Sequence, residues 1–575
     1  MLHYELLTPH GEGLDKTLPL PEYPRPQLRR DSYLCLNGEW SYAFRKAEVW
    51  DGTPDGHILV PFAPESVLSG VRRTLKRGEY LFYQRSFTLT EAFLSEITLL
   101  HIDAVDQEAE VFCNDIFVGR GEGGYLPLTL DVSRAVRVGE NKLTVRVKDD
   151  TDLRYPTGKQ RKKRGGIWYT PICGIWQSVW MESVSRGYIR GLRLTPDIDR
   201  GCLTVEIDSE ADTFALTVSC GGAEILSHSG TGRRFELTLP PETVRLWSPE
   251  DPFLYDLEIV AKDDRVQSYF ALRKFEARDR RFLLNGKPYF VNGLLDQGYF
   301  SDGIYTPAAY DAYREDILTA KALGYNALRK HIKIEPLRFY YLCDACGMLV
   351  LQDMVNVGRY SFFKDTVLPF AGLRRHRPYV NVGRAQRRMF AAHAEATVKH
   401  LYNCPSVVYY TIFNEGWGQF DGDGMYLRLR AQDPTRVYDA TSGWFREKRS
   451  DVASEHIYFR PLSPVAETEA LPQIISEFGG YSLPLAGHRF NDEKTFGYRA
   501  YRDTAAFEEA FVHLYETEVL PLAQNGLAGA IYTQLSDVED ECNGLLTYDR
   551  RVCKLNPDRV LPLMQRIFAA AGHLQ

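Results

Sequence analysis

The chain predicts three domains in series: a β jelly-roll sandwich, an immunoglobulin-like β-sandwich and a (β/α)8 barrel. Three observations carry that prediction. The 575 residues are several times the roughly 150 that one hydrophobic core organises. Short alternating segments broken by Gly and Pro turns fill about the first 275 residues. From about residue 280, apolar strands alternate with amphipathic helices.

In the first domain, taken as residues 1–185, Leu143, Val145 and Val147 alternate with polar residues, the pattern of a half-buried strand. Asn37-Gly38, Gly121 to Gly124 and Gly139 to Asn141 mark turns. An aromatic stretch from Gly166 to Met181 closes the domain. The second, 186–276, repeats the alternation at Leu203, Val205 and Ile207, enough for one sandwich. The third, 277–575, opens on the apolar pairs Phe290-Val291 and Leu294-Leu295. Thr306 as N-cap and Pro307 at the first helical position predict a helix that carries Tyr310, Tyr313, Ile317, Ala320 and Leu323 on one face and stops at Gly324. A helix from Leu337 to Cys346, a strand from Met348 to Leu351 ending at Asp353, a helix with Phe390, Ala394, Val398 and Leu401 at helical spacing, and a strand from Ser406 to Phe413 follow.

Composition narrows the function. Hydrophobic residues at 44% and charged residues at 25% describe an ordinary folded chain, and a net charge of -7 gives no reason to expect nucleic acid or an acidic membrane as partner. No apolar run is long enough to span a membrane. Cys343 and Cys346 form the lone CxxC, within a helix and with no second pair to complete a zinc site, so the ten cysteines read as structural thiols. Met1 to His10 shows no basic stretch leading into an apolar core, and with reduced cysteines the expected location is the cytoplasm.

Barrel enzymes place their chemistry at the C-terminal ends of the strands. Those ends supply Asp296, Arg329 and His331, Asp353, Asn414 and Glu415, Asp439, His456 and Tyr458, Glu477, and Thr533 with Gln534. Glu415 and Glu477 directly follow apolar runs, counted as strands 4 and 7, where a charge is costly unless something requires it. A pair of carboxylates from opposing strands can break a glycosidic bond, one protonating the leaving oxygen and the other attacking. On residue type alone, each could equally be a buried partner of Arg329.

Two motifs go further. Thr411-Ile-Phe-Asn-Glu-Gly-Trp-Gly418 and Ile475-Ser-Glu-Phe-Gly479 resemble the acid/base and nucleophile motifs of glycoside hydrolase family 2, the β-galactosidase and β-glucuronidase family. Gly324-Tyr-Asn-Ala-Leu-Arg329 and the stretch from Tyr341 to Asp353 resemble that family's second and third strands. Leu36-Asn-Gly-Glu-Trp40 and Gly174-Ile-Trp-Gln-Ser-Val-Trp180 resemble its sugar-binding jelly roll. The resemblance runs through nearly the whole chain, in order.

It implies a retaining exo-β-glycosidase working by double displacement, β-galactosidase-like first, with β-glucuronide or another β-glycoside next. Glu415 becomes the acid/base and Glu477 the nucleophile, about 5–5.5 Å apart. Asn414 would bind the sugar 2-hydroxyl, Tyr458 would donate to the nucleophile, and Arg329 would steady it. Asp296, His331, Asp353 and His456 become candidates for the sugar site, and Trp417 for its wall. The partner is a carbohydrate or glycoside; no cofactor or metal is required, and homo-oligomerisation stays open. A carbohydrate-binding protein on a decayed glycosidase is the competing reading, and a transglycosylase would share every residue.

The chain departs from the family in two places. Where its glucuronidases read the sugar carboxylate with Asn-x-Lys, Glu541 and Asn543 stand here. A desolvated glutamate would repel a carboxylate by roughly a few kcal/mol, which disfavours a uronic acid. The family's strand-8 tryptophan is replaced around Thr533 and Gln534. Glu541, with Asp537, Glu539 and Asp540, reads either as a binder of hydroxyl or amino groups or as a solvated acidic loop. The basic run Lys159-Gln-Arg-Lys-Lys-Arg164 reads as an exposed loop, with contact to an acidic aglycone as its other reading.

Overall fold

The computed structural model describes residues 2, 5–370, 381–463 and 470–572. Two antiparallel sheets make the first sandwich. One orders its strands Leu34–Cys35, Val179–Val184, Ile97–Ile102 and Leu128–Asp131; the other has six strands, with Tyr80–Leu89 and Gly139–Lys148 at its centre. Along Gly139–Lys148, Leu143, Val145 and Val147 are buried against Trp40, Tyr83 and Val111, as the alternation predicts. A three-stranded and a four-stranded sheet between Gly191 and Phe270 form the second sandwich around Leu203, Val205, Leu216 and Ile259.

The barrel strands are β1 (Val291–Asp296), β2 (Ala327–Lys330), β3 (Leu349–Asp353), β4 (Val407–Asn414), β5 (Val437–Ser442), β6 (Ala453–Ile457), β7 (Gln473–Gly479) and β8 (Gly529–Thr533). Their order is 5-4-3-2-1-8-7-6, every adjacent pair parallel. β5 and β6 lie side by side at the ends, so the barrel is nearly closed. Glu415 and Glu477 thus do sit at strands 4 and 7.

Helix α1 (Asp311–Ala322) starts four residues later than its Thr306-Pro307 signal. The Thr306 hydroxyl donates to the Trp176 carbonyl in the first sandwich, and the helix takes Tyr310 as its N-cap residue with no side-chain cap bond. Its expected face is buried, and Gly324 follows at φ +86°. Helices α2 (Leu337–Cys346) and α3 (Arg384–Leu401) fall where the spacing puts them.

Below the barrel, the hairpin strands Phe275–Arg278 and Arg281–Leu284 plug its N-terminal end, with Phe275 and Phe282 packed under Leu295, Leu351 and Tyr409. Above it, Tyr125, Tyr169, Ile172 and Trp176 of the first sandwich pack on Tyr299, Tyr305, Ile332, Val355 and Trp417 of the barrel loops. The sandwich therefore roofs one side of the barrel mouth.

Candidate active site

Strand alternation decides which side chains reach the barrel axis. On β2, Arg329 points inward and is fully buried, while its neighbour Lys330 points outward. The guanidinium is a hub. Nε donates to Asp353 Oδ1 (3.0 Å), Nη1 to Glu477 Oε1 (3.0 Å) and to the Ser476 carbonyl (2.9 Å), and Nη2 to Asn414 Oδ1 (2.9 Å) and Ser442 Oγ (3.0 Å). It ties β2, β3, β4, β5 and β7 together beneath the site.

A carboxylate oxygen of Glu415, one of Glu477 and a ring nitrogen of His456 lie within 4.8 Å of one another. At the end of β4 the backbone turns through φ +53° at Glu415 and +73° at Gly416, which swings the Glu415 carboxylate over the mouth. The two environments differ. Glu477 Oε2 accepts from the Tyr458 hydroxyl (2.8 Å), itself 2.8 Å from Thr533 Oγ1. Burial alone would raise the Glu477 carboxyl, but the positive charge of the His456 ring, when it is protonated, and of the Arg329 guanidinium reverse the sign and hold it at about 2. Glu415 is the more exposed, at 13% of its side chain, and Oε1 accepts from His456 Nδ1 (2.8 Å). His456 Nε2 lies 3.3 Å from Arg329 Nη1; a guanidinium only donates, so in the neutral ring Nε2 accepts and Nδ1 carries the proton. The three ligand atoms are close enough to grip a metal ion, but the Arg329 charge against Glu477 opposes a dication there.

Asn414 uses its oxygen on Arg329 and Ser442 (2.8 Å), leaving its NH2 without an acceptor among the described residues. Asp353 is tied into the scaffold: Oδ1 takes Arg329 and Oδ2 takes His331 Nδ1 (2.7 Å). Asp353 is a prop, and what it steadies is the His331 ring, whose Nε2 has no hydrogen-bond partner among the described residues. Asp296 is not brought to the site. It lies on the outer face of β1, where it binds Lys330 of β2 together with the Gly298 N–H, and that network continues to Glu335. Asp439 accepts from Tyr409 (3.0 Å) inside the barrel. Trp417 is buried and packs edge-on against Trp168 (5.1 Å) and Tyr360 (5.9 Å), a wall of three aromatic rings.

Two loop readings need correcting. The acidic loop is buried rather than solvated: Asp537 pairs with Lys554, and Glu539 and Asp540 pair with Arg164. Glu541 accepts from the Tyr169 hydroxyl and from Asn543 Nδ2 (2.9 Å), and Gln534 and Gln297 continue that chain. Gln534 therefore supports Glu541 from behind. The basic run is exposed at Lys162 and Lys163 alone; Lys159 and Gln160 are buried, and Arg161 stacks 3.4 Å over Trp168. Tyr498 escaped the sequence reading: it stacks at 3.9 Å on Tyr458 from an irregular segment that carries no periodic signal.

Known proteins agree with this layout. The family model for the glycosyl hydrolases family 2 sugar-binding domain matches residues 72–183, and the model for that family's TIM barrel domain matches 275–544. A β-galactosidase of Enterobacter cloacae is 25% identical over 403 residues, 64% of this chain and 37% of that protein. One of Aeromonas hydrophila is 26% identical over 488 residues, 74% of this chain and 45% of that protein. The chain thus spans less than half the length of these relatives. A β-D-glucuronidase from Dictyoglomus thermophilum shares the fold with a TM-score of 0.74 at 18% identity, covering 95% of this chain and 98% of that one. A β-galacturonidase from Eisenbergiella tayi, bound to galacturonate, does so at 0.70 and 18%, covering 94% and 99%. Each family model falls on the domain whose architecture it describes, and together they take in about two thirds of the chain: the chain belongs to glycoside hydrolase family 2.

Proposed function

We propose that the protein is a retaining exo-β-glycosidase, with Glu477 as nucleophile and Glu415 as acid/base. The observation that carries this is the approach of the two carboxylates to within 4.8 Å, with unlike surroundings. That spacing suits direct attack on the anomeric carbon; an inverting pair needs roughly 6.5–9.5 Å to seat a water. In the first step Glu477 bonds to the anomeric carbon, the glycosidic C–O bond breaks, and Glu415 passes its proton to the leaving oxygen. In the second, Glu415 takes a proton from water, whose oxygen displaces Glu477. The roofed mouth suits a chain end, and the names of the relatives favour a β-galactoside as first substrate to try. Ten unpaired cysteines suit a reducing compartment, and we place the protein in the cytoplasm.

A panel of nitrophenyl β-glycosides, with product configuration followed by NMR, tests the reading; a first-formed α-anomer would defeat it. Glu415→Gln should cut kcat/KM for alkyl glycosides by about 10²–10⁴-fold and that for dinitrophenyl glycosides far less, because a good leaving group needs no proton in the first step. Glu477 must be ionised and its carboxyl lies at about 2 instead of the usual 4.5, so the acid limb of kcat/KM should fall below pH 4.5. A limb at or above that value would contradict the assignment.

A further inference from the structure

Lys159 comes from the first sandwich, yet it serves the barrel. Its carbonyl accepts the Tyr169 N–H (3.1 Å), and the Tyr169 hydroxyl donates to Glu541. Its ammonium sits 5.5 Å over Trp168, which packs on Trp417 just past Glu415. The residue is only 9% exposed, and among the described residues its ammonium has no hydrogen-bond acceptor and no carboxylate within 4.0 Å. Its charge nevertheless acts on Glu477, Glu541 and His331, so it lies near all three.

An ammonium on a largely buried side chain, with no protein acceptor, is completed by water or by a ligand. Glu541 has the opposite character and is held by Tyr169 and by Asn543, which Gln534 fixes in turn. A hydroxyl satisfies both, accepting from the ammonium and donating to the carboxylate. A sugar carboxylate would suit Lys159 but would face Glu541 and the ionised Glu477.

We propose that Lys159 and Glu541 together read a hydroxyl of the terminal sugar, making Lys159 a specificity-determining residue and the substrate a neutral pyranoside rather than a uronide. The assignment rests on the glycosidase reading above. The test compares nitrophenyl β-galactoside with nitrophenyl β-glucuronide on the full chain and on Lys159→Met, Lys159→Arg and Glu541→Gln. Wild type should favour the neutral glycoside by about 100-fold or more in kcat/KM. Lys159→Met should lower kcat/KM for it by about 10–100-fold, with Lys159→Arg recovering part of the loss. Glu541→Gln should narrow the preference at least about tenfold. Equal losses on both substrates, or a wild type that prefers the glucuronide, would overturn the proposal and leave the glycosidase standing. A wild type that releases nitrophenol from no glycoside defeats the underlying reading, and this assignment with it.

Discussion

Glu477→Gln is expected to lower turnover by at least about 10⁴-fold on every glycoside, activated ones included. The amide cannot form the ester to the anomeric carbon, and no leaving group makes up for a missing nucleophile. This separates it from Glu415→Gln, whose loss depends on the aglycone. The shape of the site should survive, because the glutamine carbonyl oxygen still accepts from Arg329 and its NH2, standing in place of Oε2, can donate to the Tyr458 hydroxyl. A melting transition close to wild type is therefore part of the expectation. Glu477→Ala with added azide supplies the positive control: the small anion enters from the vacated face and gives a glycosyl azide of inverted configuration. Residual hydrolysis within about tenfold of wild type would mean that another group attacks.

The second large effect falls on the fold. Arg329→Met should cost about 3–5 kcal/mol, read as a shift in denaturant midpoint at neutral pH. The substitution keeps apolar volume but strands Asp353 and Glu477 as buried charges. Arg329→Lys should recover little, since one ammonium cannot reach Asp353, Glu477, Asn414 and Ser442 at once. The deficit should shrink as pH falls through the titration of the stranded carboxylates, because protonation removes the uncompensated charge. A midpoint change worth less than about 1 kcal/mol would show that water already reaches this layer.

Fold class was readable because it rests on local rules; the same rules marked the two central glutamates, and the family motifs then paired them. A carboxylate straight after an apolar strand is costly, and periodicity separates the sandwiches from the barrel. The same rule brought in Asp296, which also ends a strand; its place on the outer face follows from the register that pairs it with Lys330 and puts Leu295 beside Arg329. Arg329 itself could be seen as a partner of Glu477, but its span of five strands could not. The loops failed for a different reason. The runs around Arg164 and Glu539 each look solvated on their own, and they bury because they neutralise one another across 375 positions of chain. Nothing in a local window reports such a pairing. Thr306 likewise read as a cap, but its hydroxyl bridges to the sandwich and the helix begins past it at Asp311.

The roof over the barrel has an outcome for how such a protein diverges. The parts that cleave the bond hang from strand ends, whereas Lys159, Tyr169 and Trp168 arrive on one segment of a separate domain. Exchanging that short stretch could retune which glycoside is admitted while the scissors beneath stay as they are. Appetite and bite would then be inherited from different stretches of the gene.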